Sequence, residues 1–247
     1  MISLTINNQP LTVAEGTTIR EAARILSLSK ELAIEIPTVC YHSHFTANSL
    51  CRVCVVELER SRVLVPACSR LVENGMVIQT NSPRVRVARQ TILELMASAI
   101  DLSQAPDIQR LLQQYHADAG KFSGGAARAL PLYDDNAMYI RDYSKCILCW
   151  RCVQACGTDV QYTFAITIAE RGFHSRVSTF EQVTIPESTC VFCGNCVAAC
   201  PTGALKAKRE WLIEQGRPLE PMPQGPRRRR HRKPGDESLD LSGGQES

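Results

Sequence analysis

Along residues 1 to about 80, hydrophobic positions fall into short strand-like runs. Ser3 to Ile6 and Leu11 to Val13 are β-prone and flank Asn7-Asn8-Gln9-Pro10, a hairpin signal. Thr17 or Thr18 can cap a helix whose apolar positions are Ile19, Ala22, Ala23 and Leu26, with Glu21 placed as in a capping box. Val53 to Leu58 and Val63 to Val65 are further strands, and a sheet crossed by one helix is the β-grasp arrangement. From Pro83 to about His116 the spacing changes to three and four residues. Val85, Ala88, Ile92, Leu95, Met96 and Ala99 predict one helix, and Asp107 to Tyr115 a second with Ile108, Leu111 and Leu112 on one face. Residues 118–136, with Gly120, Gly124, Gly125 and Pro131, read as a linker or a pinned loop. Phe164 to Ile168 and Arg171-Gly172 suggest a second hairpin. Beyond about Gly216, Pro and Gly crowd in ahead of a polar end, which predicts a disordered tail over 213–247.

Composition narrows the function classes. With 44% hydrophobic and 21% charged residues, the 247-residue chain can bury real cores and suits two or three small domains. A net charge of +3 is too small to make nucleic acid or an anionic membrane the main partner. Part of that charge is local to Arg227–Lys233, read as a solvated tail rather than a site for an acidic partner. The N-terminus shows no secretory signal and no run is long enough to span a bilayer, so a cytoplasmic protein is expected. Twelve cysteines in a reducing compartment are poor candidates for six disulfides, and metal is the obvious alternative.

The cysteines form three sets of four. Cys40, Cys51, Cys54 and Cys68 are separated by ten, two and thirteen residues. A C-x2-C pair in one tight loop with two flanking thiolates suits a [2Fe–2S] core. Structural zinc is the alternative, although four-cysteine zinc sites usually pair two C-x2-C units. The other sets, Cys146, Cys149, Cys152, Cys156 and Cys190, Cys193, Cys196, Cys200, each follow C-x2-C-x2-C-x3-C. Three cysteines at that spacing hold three corners of a cubane while the fourth points at the other one. One [4Fe–4S] cluster is therefore assigned to Cys146, Cys149, Cys152 and Cys200, the other to Cys190, Cys193, Cys196 and Cys156. Gly157 stands where such motifs usually place proline, while Cys200 keeps Pro201. Ile147, Leu148, Val191 and Phe192 are expected to cover the cubanes. Trp150 is read as packing on its cluster loop rather than as a docking residue. Arg52 reads equally as a charge tuning the [2Fe–2S] potential or as solvated surface. His42 and His44 are not expected to replace Cys40, since four cysteines already fill that site.

Several of these residues together resemble one known module. They are Ile36-Pro37-Thr38-Val39-Cys40-Tyr41-His42, Cys51-Arg52-Val53-Cys54-Val55-Val56-Glu57, Pro66-Ala67-Cys68, Asn74 to Thr80, Ile92 to Met96, and Cys193-Gly194-Asn195-Cys196 with Cys200 to Leu205. The module is the N-terminal iron–sulfur part of the complex I large subunit, shared by NAD-linked formate dehydrogenases and NAD(P)-reducing hydrogenases. The resemblance covers roughly residues 1–210 and implies a small diaphorase-type electron-transfer subunit. Two departures matter. No cysteine lies between Cys68 and Cys146, so the further cluster held in such proteins by one histidine and three cysteines is missing, and His116 reads as an ordinary surface histidine. Nor is a large catalytic domain expected to follow, since the chain ends at Ser247.

The expected architecture is α+β, in four parts: a β-grasp [2Fe–2S] ferredoxin domain at 1–80, a helical connector and linker at 81–136, a bacterial-type 2[4Fe–4S] ferredoxin domain at 137–212, and the tail. The chain has no phosphate-cradling Gly-rich loop after a strand and no acid–base or nucleophile constellation, so bond-making catalysis is expected to lie on other chains. The expected function is relay of single electrons between a flavin/NAD(P)-binding subunit and a catalytic subunit with a molybdenum, tungsten, nickel–iron or iron centre. The alternative is a stand-alone ferredoxin-like carrier or redox-responsive adaptor.

Overall fold

The computed structural model of the chain describes residues 1–219. Strands β1 (Ile2–Ile6) and β2 (Gln9–Val13) form a hairpin with Ile6 opposite Gln9, so the turn is Asn7-Asn8 alone. Both residues have positive φ, which asparagine tolerates and a two-residue hairpin turn demands. Pro10 therefore lies within β2, an edge strand, where a missing N–H costs no ladder bond. The Asn7 side chain bonds Thr80 at both its oxygen and nitrogen, tying the turn to the far end of the domain.

Helix α1 (Ile19–Lys30) starts at Thr18, whose hydroxyl accepts from the Glu21 backbone N–H at 3.2 Å. It buries Ile19, Ala22, Ala23 and Leu26 against Leu4, Ile6, Val56 and Ile78. Strands β3 (Val55–Leu58), β4 (Val65–Pro66) and β5 (Val77–Gln79) complete a five-stranded sheet in the order β2-β1-β5-β3-β4, with β1 and β5 parallel and the other pairs antiparallel. This is the β-grasp expected from the sequence.

Helices α2 (Pro83–Ala99) and α3 (Pro106–Gln114) connect the two cluster-bearing parts. Of the face expected for α2, Val85 is buried and Ile92 and Met96 pack on the core, whereas Leu95 is exposed. Arg89, Leu93 and Glu94, which the apolar spacing left out, are buried as well. Arg89 donates to the Val55 carbonyl and to the Tyr115 hydroxyl, each at 2.8 Å. Strand β5 ends at Gln79, opposite Glu57, so the sheet offers Val55 no partner on that side. Glu94 in turn accepts from Lys121 Nζ at 2.6 Å.

The segment at 118–136 is pinned. Arg128 donates its backbone N–H to Ala99 and its guanidinium to the Phe173 and Ser175 carbonyls. Strand β6 (Leu132–Tyr133) joins β7 (Tyr139–Asp142) and β10 (Leu205–Ala207) in a three-stranded sheet, ordered β10-β7-β6. Two short helices, α4 (Arg151–Cys156) and α5 (Asn195–Ala199), pack against each other, and the expected insert hairpin is β8 (Thr167–Ala169) with β9 (Arg176–Ser178). Helix α6 (Lys208–Glu214) runs two residues past the boundary expected at 212, and Lys206 Nζ holds Glu214 at 2.6 Å. The expectation of a disordered tail, with the Arg227–Lys233 run, falls mostly outside the described residues. Among the described residues no helix is long and apolar enough to cross a membrane.

Candidate iron–sulfur sites

The first four cysteines converge. Cys40, Cys54 and Cys68 are buried and Cys51 is half-buried. The thiols pair as Cys40 with Cys51 and Cys54 with Cys68, and the charges of Cys51 and Cys68 reach across the pairs. Hydrogen bonding from its partner draws each accepting thiol, Cys51 and Cys68, down to about 6, while the donors are pushed up. The Cys51 backbone N–H points at Cys40 Sγ at 3.5 Å, and Ser49 Oγ lies 3.7 Å from Cys68 Sγ. Ser49 and Arg52 both have positive φ, the conformation that turns successive N–H groups toward one centre. Arg52 itself is exposed. His42 stacks on Phe45 at 4.3 Å and accepts from the His44 backbone N–H, apart from the thiol set.

The eight remaining cysteines sort across the two motifs. Cys146, Cys149 and Cys152 line one small cavity together with Cys200, which comes from the other motif. Cys156 instead bears electrostatically on Cys190 and Cys196, along with Cys193. The crossing follows from the packing of α4 on α5. Each helix begins in its own loop and leads to the cysteine that faces the neighbouring loop, Cys156 as the last residue of α4 and Cys200 directly after α5. Burial pushes the Cys149 and Cys196 thiols up to about 12 and Cys152 well above the usual thiol value, a penalty that iron removes because a coordinating thiol is deprotonated outright.

The two loops share a backbone design. Leu148 and Trp150 flank Cys149 with φ of 54° and 67°, and Phe192 and Gly194 flank Cys193 with φ of 54° and 81°. The Leu148 and Phe192 N–H groups point at Cys146 Sγ and Cys190 Sγ, each at 3.4 Å, and the Ala165 N–H points at Cys156 Sγ at 3.2 Å. Such N–H groups stabilise the negative charge of a ligated sulfur. The Tyr143 hydroxyl is buried with no partner, and its ring lines the Cys146 cavity. Burial and the Cys152 and Cys146 thiols raise it, against the nearby Arg141 cation, which has no acceptor to offer. Sulfur acceptors of a bound cluster fit this orphaned donor. Among the described residues no three His, Cys, Asp or Glu side chains are arranged around a single metal ion.

Two readings of neighbouring residues change. Val191 projects outward instead of covering a cubane, because the chain turns at Phe192 and sends that ring to stack near Tyr139. Trp150 both lines the Cys146 cavity and presents an edge to solvent. His116, as expected, is exposed, in a left-handed turn after α3. Sequence reasoning missed the residues that join the sites. Thr46 donates its N–H to Asp159 at 2.7 Å, Gln154 Nε2 donates to the Thr46 carbonyl at 2.6 Å, and Asn48 Nδ2 donates to the Cys149 carbonyl at 2.8 Å. Arg151 reaches the Val39 carbonyl, next to Cys40. Nothing in the local sequence marks these pairs, which lie more than a hundred residues apart.

The fold and the three cysteine sets define an iron–sulfur electron-transfer protein. Residues 1–83 match the 2Fe-2S iron-sulfur cluster binding domain and residues 145–204 the 4Fe-4S dicluster domain. The chain is 38% identical over 227 residues to the NADP-reducing hydrogenase subunit HndD of Solidesulfovibrio fructosivorans, covering 87% of this chain and 37% of that one. It is 33% identical over 190 residues to an NADH-quinone oxidoreductase subunit of Rhizobium meliloti, covering 73% of this chain and 21% of that one. A chain in the crystal structure of an NAD+-reducing [NiFe]-hydrogenase in the H2-reduced state has the same fold, with a TM-score of 0.72 at 23% identity, covering 84% of this chain and 87% of that one. Over most of its length the chain is thus homologous to parts of these hydrogenase and complex I subunits, and its two domains carry one [2Fe–2S] cluster and two [4Fe–4S] clusters. It spans only 37% and 21% of the length of the two curated relatives named here.

Proposed function

We propose that this chain relays single electrons between a flavin/NAD(P)-binding subunit and a separate catalytic subunit of a multi-subunit oxidoreductase. A hydrogenase with a nickel–iron or iron centre, or a formate dehydrogenase with molybdenum or tungsten, is the catalytic partner. The cytoplasm is the compartment this chemistry fits, since thiols there stay reduced. The observation that carries the reading is the direct contact between the loops of two cysteine sets, where Asn48 of the first bonds the backbone of Cys149 in the second.

In the assignment proposed here Cys40, Cys51, Cys54 and Cys68 hold the [2Fe–2S] cluster. Cys146, Cys149, Cys152 and Cys200 hold one [4Fe–4S] cluster, and Cys190, Cys193, Cys196 and Cys156 the other. All-cysteine ligation supplies low potentials, on the order of −400 mV for plant-type [2Fe–2S] centres, which suits exchange with nicotinamide-linked donors. The residues around the sites position N–H donors toward sulfur, exclude water and hold the loops together.

The test is purification of the native protein under anaerobic conditions. Stable co-elution with a flavoprotein and a metal-bearing large subunit is expected, with about ten iron and about ten acid-labile sulfide per copy of this chain. A free monomer would favour the stand-alone carrier. Cys200→Ala is expected to perturb the EPR signal of the cluster at Cys146–Cys152, and the reverse result overturns the crossed assignment.

A further inference from the structure

The two [4Fe–4S] sites differ in their cover. Cys146, Cys149 and Cys152 are buried, whereas Cys193 is exposed and Cys190 and Cys196 are half-buried. Near the exposed cysteine lies a cluster of largely exposed apolar side chains. Tyr162 is 68% exposed, Phe164 60% and Val191 56%, and Val160 joins them from the same segment as the two rings. They form one surface, because Thr189 Oγ1 bonds the Thr163 carbonyl at 2.8 Å and the Tyr162 and Phe164 rings meet edge to face at 6.4 Å. Fixed aromatic side chains in water, beside a redox site, mark an interaction surface.

The charge pattern selects the occupant. Residues 157–164 and 189–195 contain one charged side chain, Asp159, and both of its oxygens are engaged by Thr46. Carriers that bind and leave rely on charge to steer their encounters, and this face offers none. Desolvating neutral aromatic area suits a long-lived contact instead.

We propose that Val160, Tyr162, Phe164 and Val191 form the docking face for a permanently bound redox subunit, which presents an uncharged apolar surface over its own iron–sulfur or flavin centre. The inference rests on the relay function proposed above and places one end of the relay at the Cys190–Cys196 site. One electron leaves the reduced centre on one side of this face and reduces the oxidised centre on the other, with no bond made or broken. Covering the face also shields the exposed Cys193 site from water.

The test is made in the native complex, with Tyr162 replaced by photoreactive p-benzoylphenylalanine. Irradiation is expected to crosslink this position to a subunit shown to hold flavin or an iron–sulfur centre. A crosslink to residues 220–247 of the same chain, to a second copy, or to nothing in an intact complex overturns the docking face and leaves the relay reading standing. A native chain that elutes alone overturns both. In a companion measurement, Tyr162→Glu with Val191→Glu is expected to slow reduction of the clusters by the partner subunit at least tenfold. Reduction by dithionite and the iron content should stay unchanged. An unaltered partner-driven rate overturns the proposal, and if the double variant loses iron the crosslink at Tyr162 decides.

Discussion

The side-chain amide of Asn48 donates a hydrogen bond of 2.8 Å to the backbone carbonyl of Cys149, joining the [2Fe–2S] domain to a cubane loop of the dicluster domain. The same nitrogen lies 3.1 Å from Gln154 Oε1, and Gln154 closes the loop by donating to Thr46. An asparagine between two cluster loops thus sets their relative position through backbone groups rather than through flexible charges.

Asn48→Ala removes both bonds and leaves the half-buried Cys149 carbonyl without this donor. A loss of about 1–2 kcal/mol is expected from a missing partner of this kind. Denaturation of the holo-protein should shift accordingly, with all three cluster signals still present in EPR but magnetic coupling between the [2Fe–2S] and the neighbouring [4Fe–4S] weakened. Unchanged coupling would show that the contact does not set the spacing.

Arg89→Met is expected to cost more. It strands the Val55 carbonyl and the Tyr115 hydroxyl in a buried region, for about 2–4 kcal/mol in total. Because Val55 follows Cys54, a ligand in the proposed assignment, the [2Fe–2S] signal should fade first while the cubane signals persist, with loss of about two iron per chain. Simultaneous loss of all three signals would refute that order.

A side chain at position 157 meets a wall. A Cβ there would lie 3.0 Å from the Val153 carbonyl oxygen and 3.3 Å from Phe164 Cε1, which explains glycine at a place where such motifs usually carry proline. Gly157→Ala should destabilise the holo-protein by about 1–3 kcal/mol. Adding Phe164→Ala should recover part of the loss, and a thermal midpoint that fails to move in either direction would count against the steric account.

The Lys145 ammonium, 2.7 Å from Asp101, and the Ser103 hydroxyl and N–H hold the Asp101 carboxyl down at about 2. An unfolded aspartate titrates near ~3.9. The folded value is the lower one, so this stabilisation is present above about pH 4 and disappears as the pH falls toward 2. Wild type and Asp101→Asn should therefore differ in denaturation midpoint at pH 7, measured by circular dichroism, and converge across that window. Curves that stay parallel down to pH 2 would contradict the assignment.

Much of the fold was legible because short-range chemistry dictates it. Asn7-Asn8 favours a tight turn, Thr18 caps a helix, and the alternation after Ser3 selects a strand. Helix α2 shows where that ends. Its apolar spacing turned Val85, Ile92 and Met96 inward as expected, but it also chose Leu95, which is exposed, and gave no sign that Arg89 and Glu94 would be buried. Arg89 is held by an open carbonyl at the end of a sheet, and periodicity carries no record of such a group. Val191 was misjudged for a related reason. Its place between ligands said nothing of how the left-handed turn at Phe192 would direct it.

The cysteine spacings alone determined that this chain binds iron–sulfur clusters, because three thiolates within seven residues can reach one cubane whatever surrounds them. The same spacing already pointed to a crossed fourth cysteine for each cubane, whereas tertiary structure alone decided how the [2Fe–2S] loop abuts Cys149 and which site faces water. Those relations depend on how α4 packs on α5 and on bonds between residues more than a hundred positions apart. Local sequence constrains reach along the chain, and only packing settles what meets across it.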